Sequence, residues 1–437
     1  MPRRNCHRPS QSTGHVGSDA ELQVCRRAAF SCPGAVHLLG CLPRQSVGHP
    51  GEPTAPAIYA SQFSGPRVMS TNEIVVNGKS DERDDDELTL YVAGFSFRGW
   101  EQIEVTVRAE AFPNSFEVRA SVPPSYQIPC NAGDECIVLL GNDSVISGYV
   151  DRVTDTGDSD SHTITIQGRG RTQDLVDCGA EWPSHQLIGG NAQSIATKLA
   201  LPYSISVEMA NGASPGPDVP QWPLNYGESP AEIIQRLARN AGLLAYESQD
   251  GKILLASVGT AEAASGIVFG ENVEAWTVER SMDQRYSDYV CCMFSMDAMM
   301  ELDGSDMFHT ENDPNVVRHR LTYLVAEAVA TDPVEFVKAR ARWEAQRRAG
   351  RAFVVRATVD SWRDSDGTLW TPNTLVPVNV PGARGNLTLV ISEVTFRRDE
   401  ERGTTAELVC MPKEAFMPEP ITLVPVNLSD TDAAAIQ

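Results

Sequence analysis

From residue 88 to residue 167, apolar and polar residues alternate in short runs bounded by turn residues. Leu88-Thr-Leu-Tyr-Val-Ala, Ile103-Glu-Val-Thr-Val-Arg and Phe116-Glu-Val-Arg-Ala-Ser-Val each send every second side chain to one face, which predicts half-buried strands. Glu135-Cys-Ile-Val-Leu-Leu, Ser144-Val-Ile-Ser-Gly-Tyr-Val and His162-Thr-Ile-Thr-Ile-Gln continue the series between Gly-Asn-Asp and Asp-Thr-Gly-Asp-Ser-Asp turns. Short strands at this spacing predict a small barrel or sandwich.

At Gln186 the period changes. Residues 191–199 read as a short helix, and Ser229-Pro230-Ala-Glu232 opens a second: Ser229 accepts an early backbone N–H, Pro230 sacrifices no hydrogen bond, and Glu232 closes a capping box. Ile233, Ile234, Leu237 and Ala241 share a face, and Gly242 permits a left-handed exit. A hairpin around Gln249-Asp250-Gly251 follows, so residues 186–265 predict a small α+β domain. A third helix opens at Asp332-Pro333-Val-Glu335 and runs to Arg348, with Gly350 placed to end it. Strands resume at Ala352-Phe-Val-Val-Arg-Ala-Thr-Val and continue through Leu375-Val-Pro-Val-Asn-Val, Leu387-Thr-Leu-Val-Ile-Ser-Glu-Val and Ala406-Glu-Leu-Val-Cys.

The two β regions repeat one another in pattern. Trp100 to Arg108 followed by Phe116-Glu-Val-Arg-Ala-Ser-Val resembles Trp276-Thr-Val-Glu-Arg followed by Asp288-Tyr-Val-Cys-Cys-Met-Phe. Likewise Val145-Ile-Ser-Gly-Tyr-Val followed by Thr163-Ile-Thr-Ile-Gln resembles Val390-Ile-Ser-Glu-Val followed by Ala406-Glu-Leu-Val-Cys. The fold class expected is therefore mainly β with α+β insertions: two related small β-barrels plus a small α+β domain. The expected boundaries are 1–87 for a disordered arm and acidic linker, 88–180 for the first barrel, and 186–265 for the α+β domain. Residues 273–296 with 353–418 make the second barrel, interrupted by a loop and basic helix at 297–352, and 419–437 form a tail.

Charge separates the start of the chain from the rest. The protein has 437 residues, 41% of them hydrophobic, and a net charge of -22 with a pI near 4.8. This surplus excludes a general nucleic-acid binder, and no apolar run approaches the roughly 18–20 residues of a membrane helix. Residues 1–70 instead hold seven Arg against three acids, four of the ten Cys, and no apolar period. They read as an arm or as upstream sequence, with Met69 as the natural start. Cys6, Cys25, Cys32 and Cys41 lack the paired spacing of a zinc site. The other six Cys sit mostly in strand-like runs as small hydrophobes, consistent with a reducing cytoplasm.

Candidate chemistry is sparse. The four His beyond the arm form no H-x-x-x-H pair, and no G-x-S-x-G elbow or phosphate loop is present. Asp155-Thr-Gly-Asp-Ser-Asp and Asp364-Ser-Asp-Gly imitate the start of a calcium loop but lack the twelfth-position Glu, so they predict hairpin turns. No catalytic, metal-binding or cofactor-binding residue is assigned. The basic helix, with Lys338, Arg340, Arg342, Arg347, Arg348 and Arg351, is either a solvated face countered by Glu335 and Glu344 or a surface for an acidic partner.

The stretch Ala339-Arg-Ala-Arg-Trp343-Glu-Ala-Gln-Arg-Arg-Ala-Gly350-Arg, with Thr358-Val-Asp-Ser-Trp362-Arg-Asp-Ser-Asp-Gly-Thr-Leu-Trp370-Thr-Pro-Asn373, closely resembles the Mu-like phage baseplate hub proteins. Gly148-Tyr-Val-Asp-Arg-Val, Gly168-Arg-Gly-Arg-Thr-Gln-Asp-Leu-Val-Asp-Cys178, Gly403-Thr-Thr-Ala-Glu-Leu and Ala415-Phe416 extend the likeness to about residues 88–418. The Met- and Asp-rich insertion at 298–312 departs from it. The resemblance implies a structural protein of a contractile tail, similar also to the N-terminal part of type VI secretion spike proteins. It implies a homotrimeric ring between tail tube and central spike, with baseplate wedge proteins as further partners, no membrane anchor, and DNA passing the lumen without specific binding. The location implied is the virion tail baseplate, after assembly in the bacterial host cytoplasm. Arg340, Trp343, Arg347, Arg348, Trp362 and Trp370 lie in its most specific part and are the candidate contact residues. Trp343 is expected to pack the basic helix onto the second barrel, and Trp362 and Trp370 to meet across a hairpin. Alternatives are a hub with peptidoglycan hydrolase activity and a carbohydrate-binding β protein.

Overall fold

In a computed structural model of the chain, the first β region comprises β1 (Asn72–Val75), β2 (Leu88–Val92), β3 (Phe95–Arg98), β4 (Gln102–Arg108), β5 (Ser115–Ser121), β6 (Glu135–Leu140), β7 (Asp143–Gly157) and β8 (His162–Gly170). The residues described are 72–76, 86–181, 186–210, 212–216, 218–219, 221–293, 308–326 and 333–417. The arm, most of the acidic linker, the Met-rich part of the insertion, the first cap residue Asp332 and the tail lie outside them. Alternation works as expected in β5, where Phe116, Val118 and Ala120 are buried and the residues between them are not. The expected 1–87 arm and linker is corrected at β1, which pairs in parallel with β3, leaving Val76 buried beside it.

The α+β part contains α1 (Gln173–Asp177), β9 (Gln186–Ile188), α2 (Ala192–Ala200), β10 (Val207–Met209), β11 (Gln221–Pro223), α3 (Pro230–Asn240), β12 (Leu244–Glu247) and β13 (Ile253–Ala256). Ser229 and Glu232 form the expected capping box on α3, while Asn191 and Ser194 form another on α2. Ile195, Leu199, Ile233, Ile234, Leu237 and Leu255 make one core, which Leu175 of α1 also enters. The domain therefore begins near residue 172, ahead of the expected 186. It also ends earlier than 265, because β14 (Ala261–Glu262) and β15 (Ile267–Val268) pair with a strand of the second β region.

That region contains β16 (Val273–Arg280), β17 (Asp288–Met293), β18 (Phe308–Asn312), β19 (Leu321–Ala326), α4 (Pro333–Arg351), β20 (Phe353–Val359), β21 (Thr374–Asn379), β22 (Leu387–Asp399) and β23 (Gly403–Met411), then a 3₁₀ turn at Lys413–Phe416. The order β6-β7-β8-β5-β4 in the first region matches β21-β22-β23-β20-β16 in the second. Each reads third, fourth, fifth, second and first in chain order, and each neighbouring pair is antiparallel. The repeat is thus one of topology. Its members differ from the expected ones, since β20 rather than β17 stands where β5 stands. β17 joins a separate sheet, β18-β17-β19, because Cys291 and Met293 turn toward Val337 and Ala341 of α4. Alternation is shared by every half-buried strand and did not distinguish the two.

The two halves share one 15-stranded sheet, joined where β4 pairs with β22. Its core runs through both, from Leu88, Leu90 and Ile146 to Val355, Phe396 and Leu408. Each fully buried aliphatic or aromatic side chain there contributes about 1.5–3 kcal/mol. The expected stop of the basic helix at Gly350 is also corrected, because α4 continues to Arg351. Gly350 allows a close approach: a Cβ on it would lie 2.5 Å from the backbone nitrogen of Ala415.

Candidate assembly surface

The six candidate contact residues occupy two places. Trp362 and Trp370 belong to the core of the large sheet, at 0% and 3% exposure. They do meet across the hairpin: the Trp370 N–H donates to the Trp362 carbonyl at 3.0 Å, with Arg363 and Leu369 bridged between them. Asp364 caps this turn by accepting from the N–H groups of Asp366 and Thr368, and Asp158 does the same for Asp160 and Ser161. Those donors hold the Asp158 carboxyl below the usual range. Both acidic turns are accounted for by Asx-type bonding.

Arg340, Trp343, Arg347 and Arg348 sit together on α4. Trp343 is buried, and its indole N–H donates to the Met417 carbonyl at 2.7 Å, so it fastens the helix to the last described residues of the second β region, 353–418. The Arg340 and Arg347 guanidinium groups lie over its ring at 4.6 and 5.4 Å. Arg348 donates to Glu344 at 2.5 Å and to the Gln284 carbonyl at 3.1 Å, and Arg351 donates to both carboxylate oxygens of Glu110 at 2.7 Å. The expected counter-charges are present, with Lys338 beside Glu335 and Arg340 beside Glu344. The face is only partly solvated: Arg342 is exposed, the Lys338 side chain is 41% exposed, and the other four basic residues are half-buried. Replacing Arg348 with Glu removes these bonds and sets two carboxylates side by side, so Arg348→Glu is expected to lower stability by roughly 1–3 kcal/mol. Thermal unfolding checks this; an unchanged transition would mean these bonds contribute nothing.

Glu247, unremarked in the sequence, is 4% exposed at the end of β12. Its carboxylate accepts from the backbone N–H groups of Asn114 at 2.8 Å and Thr172 at 3.0 Å, joining the α+β domain to the first β region. Burial pushes its pKa up to about 7. Gly170 makes the space, since a Cβ there would lie 1.9 Å from the Glu247 Oε2. Of the six thiols described, five are buried, and burial raises Cys130, Cys136 and Cys410 to about 12. Among the described residues no group of three or more His, Cys, Asp or Glu is placed to hold a metal ion. A shallow groove lined by Glu104, Glu117, Asp151, Arg152 and Arg169 is polar, unlike the apolar pockets of small-molecule sites.

What sequence reasoning missed is a pair of strand edges. β16 lies at the end of the sheet, paired along its length with β20 alone among the described strands apart from an isolated bridge between Val273 and Phe269, and its Trp276 is 36% exposed. β7 pairs with β6 only as far as Tyr149, so among the described residues no strand lies on that edge of residues 152–157. The available signal was the repeat itself, because β4, which corresponds to β16, is paired on both edges.

A duplicated antiparallel unit carrying an α+β insertion defines a β-built structural protein, and the comparisons place that architecture among phage-tail baseplate proteins. Residues 87–170 match the Mu phage baseplate assembly protein GpP-like N-terminal domain, 172–257 the second domain of baseplate hub protein gp44-like chains, and 334–419 the fourth domain of Mu phage baseplate assembly protein GpP. Baseplate hub protein gp44 of Escherichia phage Mu is 28% identical over 340 residues, which cover 76% of this chain and 89% of that protein. The 43 kDa tail protein of prophage MuSo2 from Shewanella oneidensis superimposes with a TM-score of 0.69 at 28% identity, covering 76% of this chain and 100% of that one. The tail protein from Neisseria meningitidis MC58 gives 0.65 at 20% identity, covering 77% and 99%, and so shares the fold. The three domain matches together span more than half of the residues. The chain belongs to the Mu-like phage baseplate hub family, and is a baseplate hub protein of a Mu-like tail.

Proposed function

We propose that this hub protein assembles as a homotrimeric ring between the tail tube and the central spike, held in the virion baseplate by wedge proteins after assembly in the host cytoplasm. The observation carrying this reading is the duplicated five-strand unit. Three copies present six like units, suiting a six-fold tube above while keeping three-fold symmetry for a spike below. The net charge of -22 suits a lumen through which DNA slides without sticking. The role is architectural and not enzymatic: the distinctive side chains, from Trp362 to Glu247, are engaged in holding elements together.

The test is the mass of the purified chain by light scattering, together with co-purification alongside tube and spike proteins. A trimer that captures both is expected. A monomer that captures neither overturns the proposal, and clearing of a peptidoglycan suspension by the pure chain would favour a hydrolase instead.

A further inference from the structure

We propose that β16 of one copy adds antiparallel to the bare edge of β7 in a second copy, continuing the sheet across the subunit boundary. The inference deepens the ring reading above and rests on it. Its foundation is the internal join, in which one edge of β22 serves two partners. That edge pairs with β21 up to Val390 and with β4 from Glu393 onward. The change falls at a bulge, where the register against β23 slips between Ile391 and Glu393. β7 is built alike, pairing with β6 up to Tyr149 and slipping against β8 between Val150 and Arg152. Beyond the slip β22 has β4, whereas β7 has no strand on that edge among the described residues.

The strand that would fill the edge is β16. Val118 of β5 faces Ile166 of β8 as Ala357 of β20 faces Leu408 of β23. Ile103 of β4 faces Val118, and Trp276 of β16 faces Ala357, so Trp276 stands where Ile103 stands. Yet Ile103 is 2% exposed and Trp276 36%: β4 is covered by β22, whereas beyond β20 no described strand pairs with β16, whose Val273 makes only an isolated bridge to Phe269 and whose Trp276 meets the Phe269 ring at 4.5 Å. Bare edges in pairs of this kind are templates for strand addition.

Carrying the β4–β22 register over sets Arg280 opposite Val153, Glu279 opposite Thr154 and Trp276 opposite Gly157. Glu279 then lies diagonal to Arg152, and Arg280 diagonal to Asp155, so opposite charges meet twice on the two faces. Of the internal rungs, the one equivalent to Glu279 and Thr154 carries a Thr106–Thr395 hydroxyl bond at 3.2 Å. Since the two edges differ, the contact is head-to-tail, the kind that closes into a ring when its rotation permits.

Disulfide trapping in the full chain tests the register. Thr154 and Glu279 are both exposed, and directly opposed residues of an antiparallel pair lie at disulfide distance. Oxidised Thr154→Cys/Glu279→Cys protein is expected to run as covalent dimers and trimers on a non-reducing gel. Each single variant, the parent chain and a shifted pair, Thr154→Cys/Glu274→Cys, should yield roughly tenfold less. Light scattering on the same samples separates the outcomes. A trimer with no cross-link above the controls overturns this edge contact and leaves the ring reading standing, its subunits meeting through another surface. A monomer at every concentration overturns both.

Discussion

Trp362→Ala is expected to cost about 3–5 kcal/mol, among the largest losses available to a single side chain in the big sheet. The indole is fully buried and stands edge-on to Phe396, their ring centres 6.2 Å apart. Its N–H is shared between the Arg397 and Thr405 carbonyls, each at 3.0 Å, at the outer rungs of β22 and β23. Those strands pair tightly with β20 and β4, so the site cannot collapse onto the cavity without disturbing the join between the halves. Trp362→Phe keeps an aromatic ring in the site but loses the shared N–H and part of the indole's volume; it should recover part of the loss. Urea unfolding followed by circular dichroism measures both. A Trp362→Ala protein within about 1 kcal/mol of the parent would show that the pocket relaxes around the gap.

The legible parts of this fold are the local ones. Alternation placed the strands, the Ser229-Pro230-Ala-Glu232 string placed a helix start, and Trp362 with Trp370 could be paired because one short turn separates them. Partner choice was not local. Nothing between residues 288 and 293 announces that β17 leaves the repeat, since its destination is set by β18, β19 and α4. On α4 the Glu344 pairs of Arg340 and Arg348 are local, but the partner of Arg351 is not: Glu110 lies 241 positions away. The resemblance led to the family, and among its most specific residues Trp343, Trp362 and Trp370 are internal fasteners. Neither Trp276 to Arg280 nor Arg152 to Gly157 reads in the sequence as a sheet edge without a described partner strand. Bareness at an edge follows from comparing one half with the other, and that comparison requires the register.

Glu247 was illegible for the same reason and carries the second large effect. In Leu-Ala-Tyr-Glu it occupies an ordinary strand position, and its burial arises from residues 75 and 133 positions away. Glu247→Ala leaves the Asn114 and Thr172 N–H groups without their acceptor, at about 1–3 kcal/mol for each buried donor. Titration adds a signature that a packing role alone would not give. The folded-state pKa of about 7 lies above the ordinary 4.5, so the folded chain holds this proton more tightly than the unfolded one. The resulting stability is fully present below about pH 4.5 and is lost as pH rises through 7, a change on the order of 3 kcal/mol. Many other carboxylates titrate in this acidic chain, which makes the difference between variant and parent the informative quantity. Glu247→Gln keeps the shape and removes the titration, although its amide offers only one acceptor to two donors. Relative to the parent it should therefore be least stable near pH 5 and gain on the parent toward pH 8. Thermal unfolding at both pH values decides, and a parent-to-variant difference that stays constant across the range would assign the proton to another group.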